Sequence, residues 1–295
     1  MKHRPIGYLY LIISTIIYAS YGWFYRSTNA FLPFSQSLFK YIFVILIISI
    51  FFINKTVIWQ KIDKKDIKWF LIWIIPCSFQ PIFSFIAFNH LPIGTNYFLY
   101  YSTMIIGGII SGKIFFKESF SIIKLFSLLM VFIGLFFIYH SDLTLITNIY
   151  VVLSLITGLL IGFWNTLSKK VSGKYPELQM IVLDSSSSLA IGLIGSFINQ
   201  ERLPPASNLS PWLWLIGFAF ANLTATYFLI KGFKTVEAQK GSLILPLELV
   251  FASIIGYLIF NEILKPEVYF GGILILLATI LPALKKQNRT PSNIF

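Results

Sequence analysis

At 295 residues, with 57% hydrophobic residues, 12% charged residues and a mean hydropathy of +0.79, the chain carries more apolar surface than a soluble fold could hide. Its formal net charge of +12 comes in short clusters between apolar blocks, which argues against a nucleic-acid surface and for loops that orient a chain in a bilayer. The single cysteine, Cys77, excludes an intramolecular disulfide framework.

The first apolar run follows MKHRP. It is too long for a signal-peptide core and lacks a small-residue cleavage site, so 6–25 is predicted as a transmembrane helix. Nine more are predicted at 34–53, 69–88, 93–112, 122–140, 149–168, 178–198, 211–230, 241–260 and 267–284. Each approaches the ~20 residues that cross a hydrocarbon core, and lipid leaves the backbone of such a block no alternative to helix.

Several blocks carry polar residues out of keeping with lipid. In the third, Gln80 lies between Pro76 and Pro81, which predicts a kink facing protein or a cavity. The fourth opens with NYFLYYS, where Tyr97, Tyr100 and Tyr101 recur at i, i+3, i+4 and so share a face. They either stack on a bound molecule or form an interfacial aromatic belt. Asn165 in the sixth block aligns with Tyr21 of the first, and both are candidate lining residues. The seventh reads IVLDSSSSLAIG, with Asp184 followed by Ser185 to Ser188. Those serines serve small-residue packing or a water-lined wall, and the patch is expected to face protein or water rather than lipid. The stretch 54–68 reads as a solvated loop, 199–210 as a turn, and the tail beyond 284 as disordered.

Lysine and arginine fall unevenly on alternate connections: 19 on the set that includes both termini, 3 on the other, and Lys40 inside a block. That asymmetry predicts two cytoplasmic termini, which an even number of spans requires to share a side. A shift of 144 residues superimposes blocks one to five on six to ten, bringing Gly112 onto Gly256, Phe116 onto Phe260 and Glu118 onto Glu262. Five is odd, so the second copy enters from the opposite face. The predicted fold is an all-α integral membrane protein of ten transmembrane helices in two inverted five-helix repeats, 1–145 and 146–295. Secondary transporters are built this way, with the binding site at the midplane between repeats.

Three ionisable residues fall well inside blocks: Lys40, Asp184 and Glu248. Each costs about 2.5–3.5 kcal/mol at a helix centre and so requires a partner, water or a function. The ~1.5 Å rise per residue puts Lys40 ~9 Å from one boundary and Asp184 ~9 Å from the other, which argues against a direct ion pair. Two functional readings stand. The charges bracket a zwitterion, or Asp184 and Glu248 share a cavity and one takes up a proton, coupling transport to protons. Structural readings stand beside them: Lys40 snorkels to the surface, Asp184 bonds the serines or caps a broken helix, and Glu248 is structural.

The stretch SLILPLELVFASIIGYLIFNE (242–262) with GGILILLA (271–278), and more weakly MIIGGIISGKIFFKE (104–118) with FIGLFFI (132–138), resembles the drug/metabolite transporter superfamily in its ten-helix EamA-like branch. Pro246, Glu248, Gly256 and Glu262 match its pattern, with Gly112 and Glu118 in the first copy; Leu249 and Ile105 stand where proline is usual. The resemblance implies a cavity lined by helices one to four and six to nine, with five and ten peripheral. It also implies small metabolites as cargo, amino acids or related zwitterions first, then nucleobase-, sugar- or cofactor-like molecules. Span one holds no glutamate, which counts against proton-driven multidrug efflux of the small-relative type. His3, His90 and His140 all lie at or beyond block ends, with no H-E-x-x-H, mid-membrane Ser/His dyad or nucleotide-binding glycine motif. The expectation is a transporter of the cytoplasmic membrane that is not an enzyme and needs no cofactor, metal or nucleic acid; a membrane sensor or scaffold is the other class. The candidate substrate-binding residues are Lys40, Gln80, Tyr97, Tyr100, Tyr101, Asn165, Asp184 and Glu248.

Overall fold

The computed structural model describes residues 4–91, 93–140, 149–205, 207–260 and 266–284. Glu262 and the tail from 285 lie outside the described residues. The described chain is helical, as apolar blocks in lipid must be: α1 (Arg4–Tyr18), α2 (Tyr21–Ser27), α3 (Pro33–Ile53), α4 (Lys64–Ile74), α5 (Gln80–His90), α6 (Ile93–Phe116), α7 (Ile122–Tyr139), α8 (Ile149–Leu167), α9 (Glu177–Ile198), α10 (Leu209–Thr235), α11 (Ala238–Ile244), α12 (Leu247–Phe260) and α13 (Pro266–Leu284). Among the described residues nine stretches are long and apolar enough to cross a membrane, and α13 carries a shorter apolar stretch, Pro266–Pro282. The ten blocks read from the sequence correspond to these ten passages.

Three spans are broken rather than continuous. Span three is interrupted by the 3-10 turn Pro76–Phe79, where the two prolines withhold backbone donors and Gln80 restarts the helix. Span nine breaks at Leu245 and Pro246, between α11 and α12. Span one breaks at Ala19 and Ser20, although no proline stands there; the Ser20 hydroxyl bonds back to the Ile17 carbonyl at 2.6 Å. The single helix expected over 6–25 is therefore two.

The main helix pairs are α6 with α8, α7 with α13, α3 with α9, and α1 with α10. Exchanging spans one to five for six to ten maps the second and third of these pairs onto themselves. It maps the α1–α10 pair onto the observed α5–α8 contact and the α6–α8 pair onto the observed α1–α12 contact. A two-fold relation between the halves requires this pattern. Small residues set the spacing: a Cβ at Gly134 would lie 2.7 Å from the Gly271 carbonyl, and one at Gly271 would lie 2.5 Å from that of Gly134. At the α6–α8 crossing a Cβ on Gly162 would collide with the Met104 carbonyl.

One end of the bundle is rich in lysine and stitched by ion pairs. The stretch expected as a solvated loop at 54–68 contributes to it: α4 already begins at Lys64, and Asp66 is buried, paired with Lys174 at 2.8 Å and accepting from the Tyr175 hydroxyl at 2.9 Å. Gly112 and Glu118 belong to the same end. Glu118 accepts from the backbone amides of Ala238 and Gln239 at 2.7 and 2.9 Å, capping α11. A Cβ at Gly112 would lie 2.6 Å from Gln239 Cγ and 2.9 Å from Glu118 Oε2, so a side chain there would press on the residues that form the cap.

Candidate functional site

The three broken spans meet around a cavity of about 920 Å³, its mouth included. Every wall residue comes from spans one to four or six to nine, and spans five and ten pair with each other at the periphery. The breaks place side chains that a continuous helix would have turned elsewhere: Tyr18 and Tyr21 flank the first, Cys77 and Gln80 the second, Leu245 and Glu248 the third. Irregular backbone at membrane depth is tolerated where it lines a cavity.

Seven of the eight candidate residues reach the cavity: Lys40, Gln80, Tyr97, Tyr100, Asn165, Asp184 and Glu248. Tyr101 does not. It is fully buried behind the wall, against the rings of Tyr97 and Tyr100 at 6.1 and 5.1 Å. Helical spacing puts the three tyrosines on one face, but the packing of that face leaves only two of them open to the hollow.

The charges settle into distinct surroundings. Lys40 does not snorkel to the surface; it is 2% exposed, with Nζ 4.5 Å from the centre of the Tyr41 ring and 4.9 Å from that of Phe218. Asp184 accepts a hydrogen bond from the Trp164 indole at 2.9 Å, and the Trp73 indole in turn donates to the Trp164 carbonyl at 2.9 Å. Lys40 and Asp184 act on each other electrostatically but form no salt bridge among the described residues. Glu248 stands in the first turn of α12. The Tyr101 hydroxyl approaches its carboxylate without forming a hydrogen bond.

The serine run divides around its helix. Ser188 lines the cavity one turn on from Asp184, and Ser185 is buried. Ser187 shares a 2.5 Å hydrogen bond with Ser78 of span three. Ser186 points to the outside of the bundle, since four consecutive residues cover a full helical turn; its hydroxyl returns to the Val182 carbonyl at 2.7 Å, which satisfies it there.

Sequence reasoning passed over several wall residues. Tyr18 and Tyr25 accompany Tyr21 on one stripe of span one, and Tyr41 follows Lys40. Asn222 and Thr226, at i and i+4 in span eight, hold the Tyr21 and Tyr18 hydroxyls at 3.0 and 3.4 Å. Two polar residues on one face of an apolar span were the available signal. Trp164, whose indole fixes Asp184, had none beyond its type. The resulting hollow combines one cation, two carboxylates, amide side chains and many ring faces, a set suited to a small polar molecule with an apolar body.

Comparison with known proteins agrees with this architecture. Residues 148–283 match the EamA-like transporter family. One solved protein crystal structure, among 28 matching chains, superimposes with a TM-score of 0.80 at 12% identity, covering 95% of this chain and 99% of the other. At that identity the likeness speaks for the fold alone. No curated protein matches the sequence.

Proposed function

We propose that this chain is an EamA-like multi-pass membrane protein of the drug/metabolite transporter type, a secondary transporter moving a small metabolite across the cytoplasmic membrane. The cargo is an amino acid or related zwitterion, with Lys40 receiving its carboxylate and an acid its ammonium. The halves 1–145 and 146–295 thread the bilayer in opposite senses, and alternating access arises as one rocks against the other around the central cavity. In this reading the lysine-rich end and both termini face the cytoplasm, which the uneven distribution of basic residues supports.

One observation carries the reading: Lys40 from the first half and Asp184 and Glu248 from the second converge on a single hollow at mid-helix depth. Charges so placed are costly to insert, and their convergence gives that cost a purpose. Proton coupling through one of the two carboxylates on that cavity is part of the same proposal.

Purified protein in proteoliposomes is expected to take up at least one member of a labelled metabolite panel with amino acids at its head. Lys40→Ala and Glu248→Ala should each cut that uptake about tenfold or more, the loss of one charged hydrogen bond expressed as rate. Full transport in every single neutralisation of Lys40, Asp184 and Glu248 would remove these residues from the site.

A further inference from the structure

We propose that Glu248 and the ring faces of spans one, three and four form the subsite for the cargo's ammonium group, and that Asp184 is a positioning residue that does not meet the cargo. This deepens the transporter reading and rests on it only for the word cargo; the subsite itself is a statement about binding.

The two carboxylates of the cavity differ in what already holds them. Asp184 is occupied: Trp164 donates to it at 2.9 Å, the Trp73 indole anchors the Trp164 backbone at 2.9 Å, and the rings of Trp73 and Trp164 stack at 6.0 Å. Its charge is opposed by Lys40 on the same wall. Asp184 is thus held by the Trp164 indole, with Lys40 opposing its charge without a salt bridge. Glu248 has no cationic side chain paired with it among the described residues. A carboxylate on a cavity wall without a counter-cation favours a cationic visitor.

What faces Glu248 has the right chemistry for that visitor. The rings of Tyr18, Tyr21, Tyr25, Phe88 and Tyr97 follow one another around the cavity at centroid distances of 4.8, 6.5, 5.4 and 5.0 Å. Tyr100 adds a further face beside them. Glu248 lines the same cavity as Tyr25, Tyr97 and Tyr100 and acts electrostatically on all three. Aromatic faces attract a desolvated cation through their quadrupole, and a nearby carboxylate adds a charge-assisted hydrogen bond to a primary ammonium. Lys40 lies over Tyr41 and Phe218, and Phe218 packs against Tyr21 and Tyr25 of the arc at 4.9 and 5.0 Å. The cation subsite therefore centres on Glu248, Tyr97 and Tyr100, away from the wall formed by spans two and seven that carries Lys40 and Asp184.

The test is calorimetric titration of the purified full chain in detergent with 2-phenylethylammonium, a primary ammonium on an apolar body. The wild-type protein should bind it, and Glu248→Gln should weaken binding about tenfold or more, with partial recovery in Glu248→Asp. Asp184→Asn should weaken binding less than Glu248→Gln does, because the amide still accepts from Trp164 although Lys40 loses its opposing charge. Tyr100→Leu, which removes a ring without touching a charge, should weaken binding about threefold to tenfold. No binding to the wild type, full binding to Glu248→Gln, or an equal loss in Asp184→Asn would each overturn the proposal. Ammonium binding without transport of any panel member would break the transporter reading and leave the subsite standing. Transport without ammonium binding would do the reverse.

Discussion

The two ends of the bundle use the same device in different electrical settings. At the lysine-rich end Glu118 holds the two amides that open α11, and Lys169 lies 3.6 Å from that carboxylate. Lys124 adds a 3.2 Å pair with Glu237 and donates to the Gln239 side chain at 2.6 Å. At the opposite end Glu201 holds the amides of Phe34 and Ser35 in α3 at 3.1 and 2.6 Å, yet no lysine or arginine pairs with it among the described residues. Ring contacts join the helices at that end: Phe31 with Trp212 at 4.9 Å and Trp23 with Trp214 at 4.8 Å. Both glutamates satisfy helix amides that have no partner within their own helix. The difference teaches that lysines clustered at one end serve there as counter-ions, so that end is tied by a charged network across four spans and the other by a lone carboxylate cap and ring contacts.

The sharpest way to break this comparison is to delete each carboxylate. In Glu118→Ala two amides lose their acceptor and Lys169, which keeps its bond to the Val236 carbonyl, loses its counter-ion; each buried donor left unmet costs about 1–3 kcal/mol. That variant should show the largest fall in apparent melting temperature, with Glu118→Gln recovering part of it through its remaining carbonyl oxygen. Glu201→Ala removes a cap without stranding a lysine, and a lost cap costs about 0.5–2 kcal/mol. Its melting temperature should fall by less. A larger loss at Glu201 than at Glu118 would mean the charged network adds nothing to the cap.

How far the sequence shows this arrangement depends on the range over which each feature acts. Apolar blocks are local and dictate helices directly, so ten passages were legible, as was the break between Pro76 and Pro81, where the residue type forces the geometry. The break at Ala19 and Ser20 was not, because nothing in YASYG withholds a backbone donor. Lys40, Asp184 and Glu248 were legible as costly charges, and the cavity brings them together. Their partners were not: Trp164 and Asp184 stand 20 residues apart on neighbouring helices, and only packing makes one the donor of the other. Tyr101 shows the same limit in reverse. It shares a helix face with Tyr97 and Tyr100, but the depth of that face below the cavity wall depends on which helices cover it.

The smallest expected effect lies at the edge of the charged network, where Lys174 reaches both oxygens of Asp66 at 2.8 and 2.9 Å. Lys174 remains 49% exposed, so water and salt screen the pair, and its contribution is about 1 kcal/mol or less. Tyr175 continues to donate to Asp66 when the lysine is gone, which further limits the loss in Lys174→Met. The hydrogen bond to Asp66 holds the Lys174 ammonium above the ordinary lysine value. A raised folded-state value gives stability that is fully present below the unfolded lysine's pKa of about 10.4 and is lost only as pH rises through the higher folded value. The drop in melting temperature caused by Lys174→Met should therefore be the same at pH 6 and pH 9 and should shrink with added salt. A gap that narrows between those two pH values would show the pair titrating in that window, and the network would then be sensitive to ordinary changes in pH.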